Sequence, residues 1–265
     1  MDQNIYLSVL EDLKRAGTAR TLTLMLQNEP LLDANLAERV RQARAILGDG
    51  VHIRTVSNGT LLFRSTIDEL FQAGINDIEV SIDAFRKETY AIIRPGLDFA
   101  RVLRNTHALI DYRKGKAVTV RFLKQRVNVS EQAEFLRYWK RHGARVHFVE
   151  MSNRAGSVKG FDQMHVPEGM TWHSKIRKLF AGHIPCIFGP FERLAVLRNG
   201  QVILCCQDWQ GKAVLGDLLS QSLLDIWHAD LTNRYRDLLW HGRFEESPVC
   251  RGCSTASYFP GPKRR

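Results

Sequence analysis

Two periods of apolar residues alternate through the first 151 positions. Tyr6, Val9, Leu10 and Leu13 recur at helical spacing, predicting a helix over 5–16 that Gly17 stops. The run 21–26, Thr-Leu-Thr-Leu-Met-Leu, reads as a strand ending at Gln27-Asn28-Glu29-Pro30. A helix over about 35–47 follows, with Leu36, Val40, Ala43 and Leu47 on one face and Gly48 past its end. The pattern then repeats: strand 51–56 and helix 65–73, strand 77–82 and helical segments to 113, strand 117–123 and a helix capped by Ser130, and strand 145–151.

No two neighbouring strands are joined by a tight hairpin in this stretch. Strands separated by helices predict an α/β fold with a parallel sheet, either a partial (β/α) TIM-like barrel or an open doubly wound sheet. In both, ligands bind at the carboxyl ends of the strands. The residues there are polar at all five ends: Glu29, Asn58, Ser81 with Asp83, Arg121, and Glu150 with Asn153. Taken singly, each reads more readily as a helix cap or turn former than as a ligand-binding group. The array also begins with a helix where a strand is expected, which leaves 21–26 as an apolar edge. Either that edge is protected elsewhere in the fold or an N-terminal βα half-unit is missing.

From 152 the period changes. Residues 152–185, with Gly156, Gly160, Pro167, Gly169 and Pro185, read as a linker holding a short amphipathic piece around 172–180. Asn199-Gly200 between two β-rich runs, 194–198 and 201–205, is a type I′ hairpin signal. Helices near 223–227 and 231–240 complete a small α+β domain over 186–265.

The composition, 44% hydrophobic and 25% charged over 265 residues, is that of an ordinary globular chain. No apolar run approaches the ~18 residues that span a bilayer, and the N-terminus carries no secretory pattern. A cytoplasmic location and no membrane partner are the expectation. The net charge of +10 would suit an anionic partner. However, the Lys and Arg are spread along helices, with one short run at Lys263-Arg264-Arg265, so a solvated basic surface is favoured over a nucleic-acid site.

All five cysteines fall between 186 and 253. Cys250 and Cys253 form a C-x-x-C, which in a reducing compartment points to metal binding or catalysis rather than a disulfide. Two further thiolates can come from Cys186, before the hairpin, and Cys205, at its end. Adjacent strand residues face opposite ways, so Cys206 is held in reserve. His183 is a weaker candidate. Four thiolates suit zinc or an iron–sulfur cluster.

The run from Cys186 through Asn199-Gly200-Gln201-Val202-Ile203-Leu204-Cys205-Cys206, Leu215-Gly216-Asp217-Leu218 and Ile226-Trp227 to Pro248-Val249-Cys250-Arg251-Gly252-Cys253 closely resembles the SPASM-type auxiliary-cluster domain of radical S-adenosylmethionine (SAM) enzymes. The resemblance implies a 4Fe–4S cluster on Cys186, Cys205, Cys250 and Cys253. The first part agrees. Gln27-Asn28-Glu29-Pro30 is similar to the family's Gly-Gly-Glu-Pro, Ser57-Asn58-Gly59-Thr60-Leu61-Leu62 to its Thr-Asn-Gly-Thr-Leu-Leu, and Val80-Ser81-Ile82-Asp83 to its Val-Ser-Ile-Asp. Arg94-Pro95-Gly96 matches its Arg-x-Gly. The resemblance places Glu29 at the methionine amino group of S-adenosylmethionine, Asn58 in the same cofactor site, Ser81 and Asp83 near the ribose, and Arg94 or Arg121 at the carboxylate.

One departure matters. The family's C-x-x-x-C-x-x-C, on the loop after the first barrel strand, is absent, and helix 5–16 aligns with the helix after that loop. The expectation is a partial radical-SAM barrel over 1–151, a linker over 152–185 and a SPASM-like domain over 186–265. This chain would be a truncated form, inactive alone, of an enzyme that modifies a peptide, protein or small molecule using an external electron donor. S-adenosylmethionine would bind only with the missing loop supplied. The alternatives are a non-catalytic iron–sulfur protein for electron transfer or peptide binding, and a zinc-stapled basic nucleic-acid-binding protein.

Overall fold

Parallel pairing requires a crossover between every two strands, and helices supply it here. The computed structural model describes residues 1–113, 118–166, 186 and 189–254, in two compact units. Helix α1 (Gln3–Ala16) comes first, followed by five strands: β1 (Thr21–Thr23), β2 (His52–Ser57), β3 (Asp77–Ser81), β4 (Val118–Leu123) and β5 (Ala144–Val149). They form one sheet in chain order, each neighbouring pair parallel. Between them run α2 (Leu36–Leu47), α3 (Arg64–Gln72), α4 (Lys87–Ile93), α5 (Phe99–Arg113) and α6 (Gln132–Arg141). This is the predicted α/β arrangement, a partial TIM-like barrel.

The helix-facing side of the sheet is apolar. Ile53, Ile78, Val80, Val120 and Phe122 are buried, as are Val40, Leu70, Leu109, Phe135 and Trp139 from the helices. The Phe122 and Phe135 rings meet edge-on at 4.8 Å. Each such side chain contributes roughly 1.5–3 kcal/mol on burial.

At two of the boundaries that differ from the sequence expectation, a polar group captures the backbone. The first strand ends at Thr23 rather than residue 26: Thr55 Oγ1 donates to Leu24 O at 3.0 Å, and the chain then turns to present Glu29. The last helix begins at Gln132 after a 3₁₀ turn over Val129–Glu131, and Ser130 is not its cap. Glu131, 1% exposed, accepts instead from Phe85 N (2.7 Å), Arg86 N (3.2 Å) and Thr89 Oγ1, which fixes the turn after β3.

The other unit comprises residues 1–16 and 152–265. Helix α1, grouped with the strands on sequence order, packs in this unit. Ile5 and Val9 join the core of Val202, Leu204, Leu215, Ile226 and Leu238. Asp12, 1% exposed, accepts from Leu223 N at 2.6 Å. The rest is α7 (Phe161–Met164), an antiparallel sheet of β6 (Ala195–Val196), β7 (Gln201–Ile203) and β8 (Val214–Asp217), then α8 (Leu223–His228) and α9 (Asp230–Trp240). A reciprocal capping box between Ser222 and Asp225 starts α8.

The hairpin exists, but its turn is not type I′, which needs positive φ at both central residues. Only Gly200 is left-handed (φ 92°), and Gly200 N donates to Leu197 O at 3.1 Å. That is a type I turn closed by a left-handed glycine. The predicted piece at 172–180, His183 and the tail at 263–265 lie outside the described residues.

Candidate functional site

The C-x-x-C occupies a 3₁₀ turn over Cys250–Gly252, closed by Cys253 N donating to Cys250 O at 3.0 Å. The fully buried Ser247 hydroxyl accepts from the backbone of Val249 (3.3 Å) and Cys250 (3.2 Å). Beyond β7, Asp208 N donates to Cys205 O at 3.1 Å, which sets the Gln207 and Asp208 N–H groups beside the Cys205 thiol. Buried Asp208 ties that loop down by accepting from Lys212 N (2.9 Å) and Ala213 N (2.8 Å). The Cys186 carbonyl accepts from Gly189 N at 3.0 Å. A Cβ at Gly189 would stand 2.5 Å from Leu239 Cδ1, so a larger residue there would have to push that side chain aside.

These local devices bring four sulfurs to one place. Cys186, Cys205, Cys250 and Cys253 line a single cavity of about 20 Å³ with Leu204, Leu239, Phe244 and Val249. Cys206 is not in the lining. All five cysteines are free thiols. Among the described residues, no group of three or more His, Cys, Asp and Glu side chains has the spacing to hold a single metal ion, so what the four sulfurs share is the cavity.

Burial pushes the Cys205 thiol well above its ordinary range, with the Gln207 and Asp208 N–H groups acting against the shift. Burial likewise raises Cys250, to about 11, opposed by the Ser247 hydroxyl and reinforced by Cys186 and Cys253. Thiols in such a place ionise only beside a cation, which is what a metal centre supplies. N–H groups beside a ligand sulfur are a tuning device of iron–sulfur sites. The donor set therefore fits a thiolate-bound centre.

A strained turn is tied to this centre. Arg154 and Ala155 are left-handed without being glycine, at φ 49° and 55°. The turn is held at both cysteine segments. Asn153 N donates to Ser254 Oγ (3.0 Å), Asn153 Nδ2 to Gly252 O (2.8 Å) and Ser254 N to Asn153 Oδ1 (2.9 Å). On the other side, Arg154 Nη1 donates to Cys206 O at 3.1 Å, and Ser152 to Gln207 Oε1. Residues 152–157, expected to be linker, are thus part of the cysteine unit.

In the five-stranded unit, the strand ends bring some of the expected residues together. Glu29 accepts from Ser57 Oγ (2.7 Å), Asn58 N (2.7 Å) and Leu31 N (3.2 Å), while Asn58 Oδ1 accepts from Thr60 N (2.9 Å). Asp83, 2% exposed and left-handed at φ 63°, accepts from Leu123 N at 2.7 Å. It also takes Arg94 through Nε (3.1 Å) and Nη2 (2.5 Å). Ser81 stands in register with Arg121, and the Arg121 Nε lies 3.5 Å from Glu79. Both arginines expected at a cofactor carboxylate therefore already face a carboxylate of their own chain. Glu150 pairs with Lys124. The sequence reading missed Glu131 and Asn128, buried groups that fix the Asp83 turn; Asn128 Nδ2 donates to Asp83 O at 2.6 Å. Polar residues that become fully buried are not marked by periodicity, so no signal singled them out.

Comparison with known proteins agrees with this geometry. A family model described as the Radical SAM superfamily matches residues 4–148, more than half of the chain. The chain belongs to the radical SAM superfamily. A second model, SPASM, an iron-sulfur cluster-binding domain, matches residues 186–254, from Cys186 to one residue past Cys253. The cofactors these two domains imply are iron–sulfur clusters and S-adenosylmethionine.

Among curated relatives, a GTP 3′,8-cyclase of Limosilactobacillus fermentum is 28% identical over 140 residues, 52% of this chain and 41% of that protein. The S-adenosyl-L-methionine-dependent 2-deoxy-scyllo-inosamine dehydrogenase of Niallia circulans is 22% identical over 264 residues, 97% of this chain and 82% of that protein. The chain spans less than half the length of the two GTP 3′,8-cyclases it matches. Two radical SAM structures share the fold. BtrN in complex with AdoMet and 2-DOIA has a TM-score of 0.62 at 20% identity, covering 96% of this chain and 80% of that one. Native anSMEcpe with bound AdoMet has a TM-score of 0.68 at 13% identity, covering 100% and 82%. Among the described residues no helix is long and apolar enough to cross a membrane.

Proposed function

We propose that this radical SAM protein holds an auxiliary 4Fe–4S cluster on Cys186, Cys205, Cys250 and Cys253. The observation that carries the reading is the single cavity those four sulfurs line. When bound, such a cluster supplies an electron relay or an iron that anchors substrate. The chain's own residues do the rest. The Gln207 and Asp208 N–H groups lie beside Cys205 and favour its thiolate, Ser247 holds the C-x-x-C turn, and Leu204, Leu239, Phe244 and Val249 keep water from the sulfurs.

At the strand ends, Glu29, Asn58, Ser81 and Asp83 form the side from which S-adenosylmethionine is oriented. Glu29 retains lone pairs for an amino group beyond the three donors it accepts. These 265 residues contain no C-x-x-x-C-x-x-C, so they bring no ligands for the cluster that would cleave S-adenosylmethionine. In an assembly that supplies those ligands, the protein is a radical-based enzyme modifying a small molecule, peptide or protein with an external electron donor, in a reducing cytoplasmic setting. The names of its relatives, a GTP cyclase and an inosamine dehydrogenase, support a small molecule. The second reading, a non-catalytic cluster protein, is favoured by the missing motif.

The test is anaerobic reconstitution with iron and sulfide. Cluster absorbance near ~400 nm is expected, to be lost in Cys250→Ala. With reductant and S-adenosylmethionine, this chain should release no 5′-deoxyadenosine. A cluster that survives Cys250→Ala sinks the ligand assignment, and turnover sinks the inactive-alone reading.

A further inference from the structure

A parallel sheet whose strands follow in chain order through right-handed crossovers carries its helices on one face. Its other face is normally buried as well. In residues 17–151 that second face is charged. Register sets Arg54 against Asp77, Ser81 against Arg121, and Arg121 against His147. Glu79, Thr119 and Arg145 share the same face, one register level away.

Glu79 is 6% exposed and faces two guanidiniums, Arg54 through Nη2 and Arg121 through Nε. A structural ion pair would need one arginine. Two leave positive charge on the face, and Arg145 adds more. Asp77, in register with Arg54, is a second carboxylate there, so the face carries three guanidiniums, Arg54, Arg121 and Arg145, against two carboxylates. Arg54 Nε is also buried with no hydrogen-bond partner, a donor left over after the Glu79 pairing. The two arginine side chains are only 27% and 26% exposed, recessed enough to receive one group of a small molecule rather than a broad macromolecular surface.

We propose that this face binds the substrate, that the substrate is a small molecule carrying a phosphate or carboxylate group, and that Arg54 and Arg121 bind that group while Glu79 positions both guanidiniums. A planar fork with a free N–H suits paired anionic oxygens. The proposal rests on the radical SAM reading and adds a substrate class to it. The donors themselves are independent of the cysteine centre.

The experiment titrates the full chain with inorganic phosphate and, separately, with citrate, following the Arg Nε–H signals by ¹⁵N NMR. Saturable shifts at Arg54 and Arg121 with either anion are expected, and the tighter anion identifies the group. Binding should weaken at least ~10-fold in Arg121→Gln and in Arg54→Lys, since a charge-assisted bidentate contact is lost in each. Arg54→Lys keeps the charge opposite Glu79, and a thermal melt confirms that it folds. No saturable shift with either anion overturns the proposal, as does binding that both variants leave intact. Competition with S-adenosylmethionine separates the remaining case: if the cofactor displaces phosphate and both variants lose it too, the arginines belong to the cofactor and the substrate assignment falls. Iron retained or lost in Cys250→Ala judges the cluster reading separately, because it leaves this face untouched.

Discussion

The contact between Asp83 and Arg94 decides whether Arg94 is free to meet a cofactor. Asp83→Asn is the informative change, because Asn tolerates the left-handed backbone at φ 63° and its Oδ1 can still accept from Leu123 N. What it removes is the charge. Breaking one side of a buried pair costs ~3–5 kcal/mol. The Asp83 side chain is 3% exposed but that of Arg94 is 25% exposed, so water recovers part of the loss and ~2–3 kcal/mol is expected. Arg94→Met keeps the apolar stem and should cost less on its own. The double variant should give a coupling energy of ~1.5–3 kcal/mol. Hydrogen exchange at the Leu123 and Val120 amides reads the opening of β3 and β4 directly, without requiring the two units to unfold together. A coupling below ~0.5 kcal/mol would refute the latch and return Arg94 to the carboxylate role that the family resemblance implies.

Other consequences follow from single contacts. Asp12→Ala removes the buried acceptor of Leu223 N and should destabilise the cysteine unit by about 1.5–3 kcal/mol, read as faster exchange at Leu223 and Ile226 while β2–β4 stay protected. Equal effects in both units would contradict the placement of α1. His107, whose Nε2 lies 2.8 Å from the Tyr138 hydroxyl, has its pKa lowered from 6.5 by burial first and by His142 second. The unfolded chain then binds the proton more readily. The stability His107 contributes is complete above 6.5 and is lost as pH falls toward and through the folded value. His107→Gln should flatten that acid-side loss in urea midpoints measured from pH ~5 to ~8. An unchanged slope would show that the imidazole is not held neutral.

The helices and strands were legible because one face of each element is apolar at a clean period. Val40 with Ala43, and Val118 with Val120 and Phe122, are buried as those periods require. The four candidate cysteines were singled out by their spacing, and all four line one cavity whose lining does not include Cys206. What escaped was set by long-range polar contacts. Asp12 binds across 211 positions to Leu223, which moves α1 out of the unit its sequence order suggests. Asn153 and Ser254 pair across 101 positions and convert an apparent linker into part of the cysteine centre. The turn at Asn199-Gly200 shows a subtler limit. The dipeptide marks the bend, but the two-residue β6 pairs with β7 in a register that requires only Gly200 to be left-handed. The family resemblance places Arg94 or Arg121 at the cofactor carboxylate, and no local pattern marks the carboxylates they face, Asp83 and Glu79, 11 and 42 positions away.

Iron and acid-labile sulfide per chain, measured after anaerobic reconstitution of the wild-type protein beside Cys205→Ser and Cys206→Ser, tests the central claim most directly. About four irons and four sulfides are expected in the wild type and in Cys206→Ser, with loss in Cys205→Ser. Zinc without sulfide in the wild type, or iron that survives Cys205→Ser and disappears in Cys206→Ser, would contradict it.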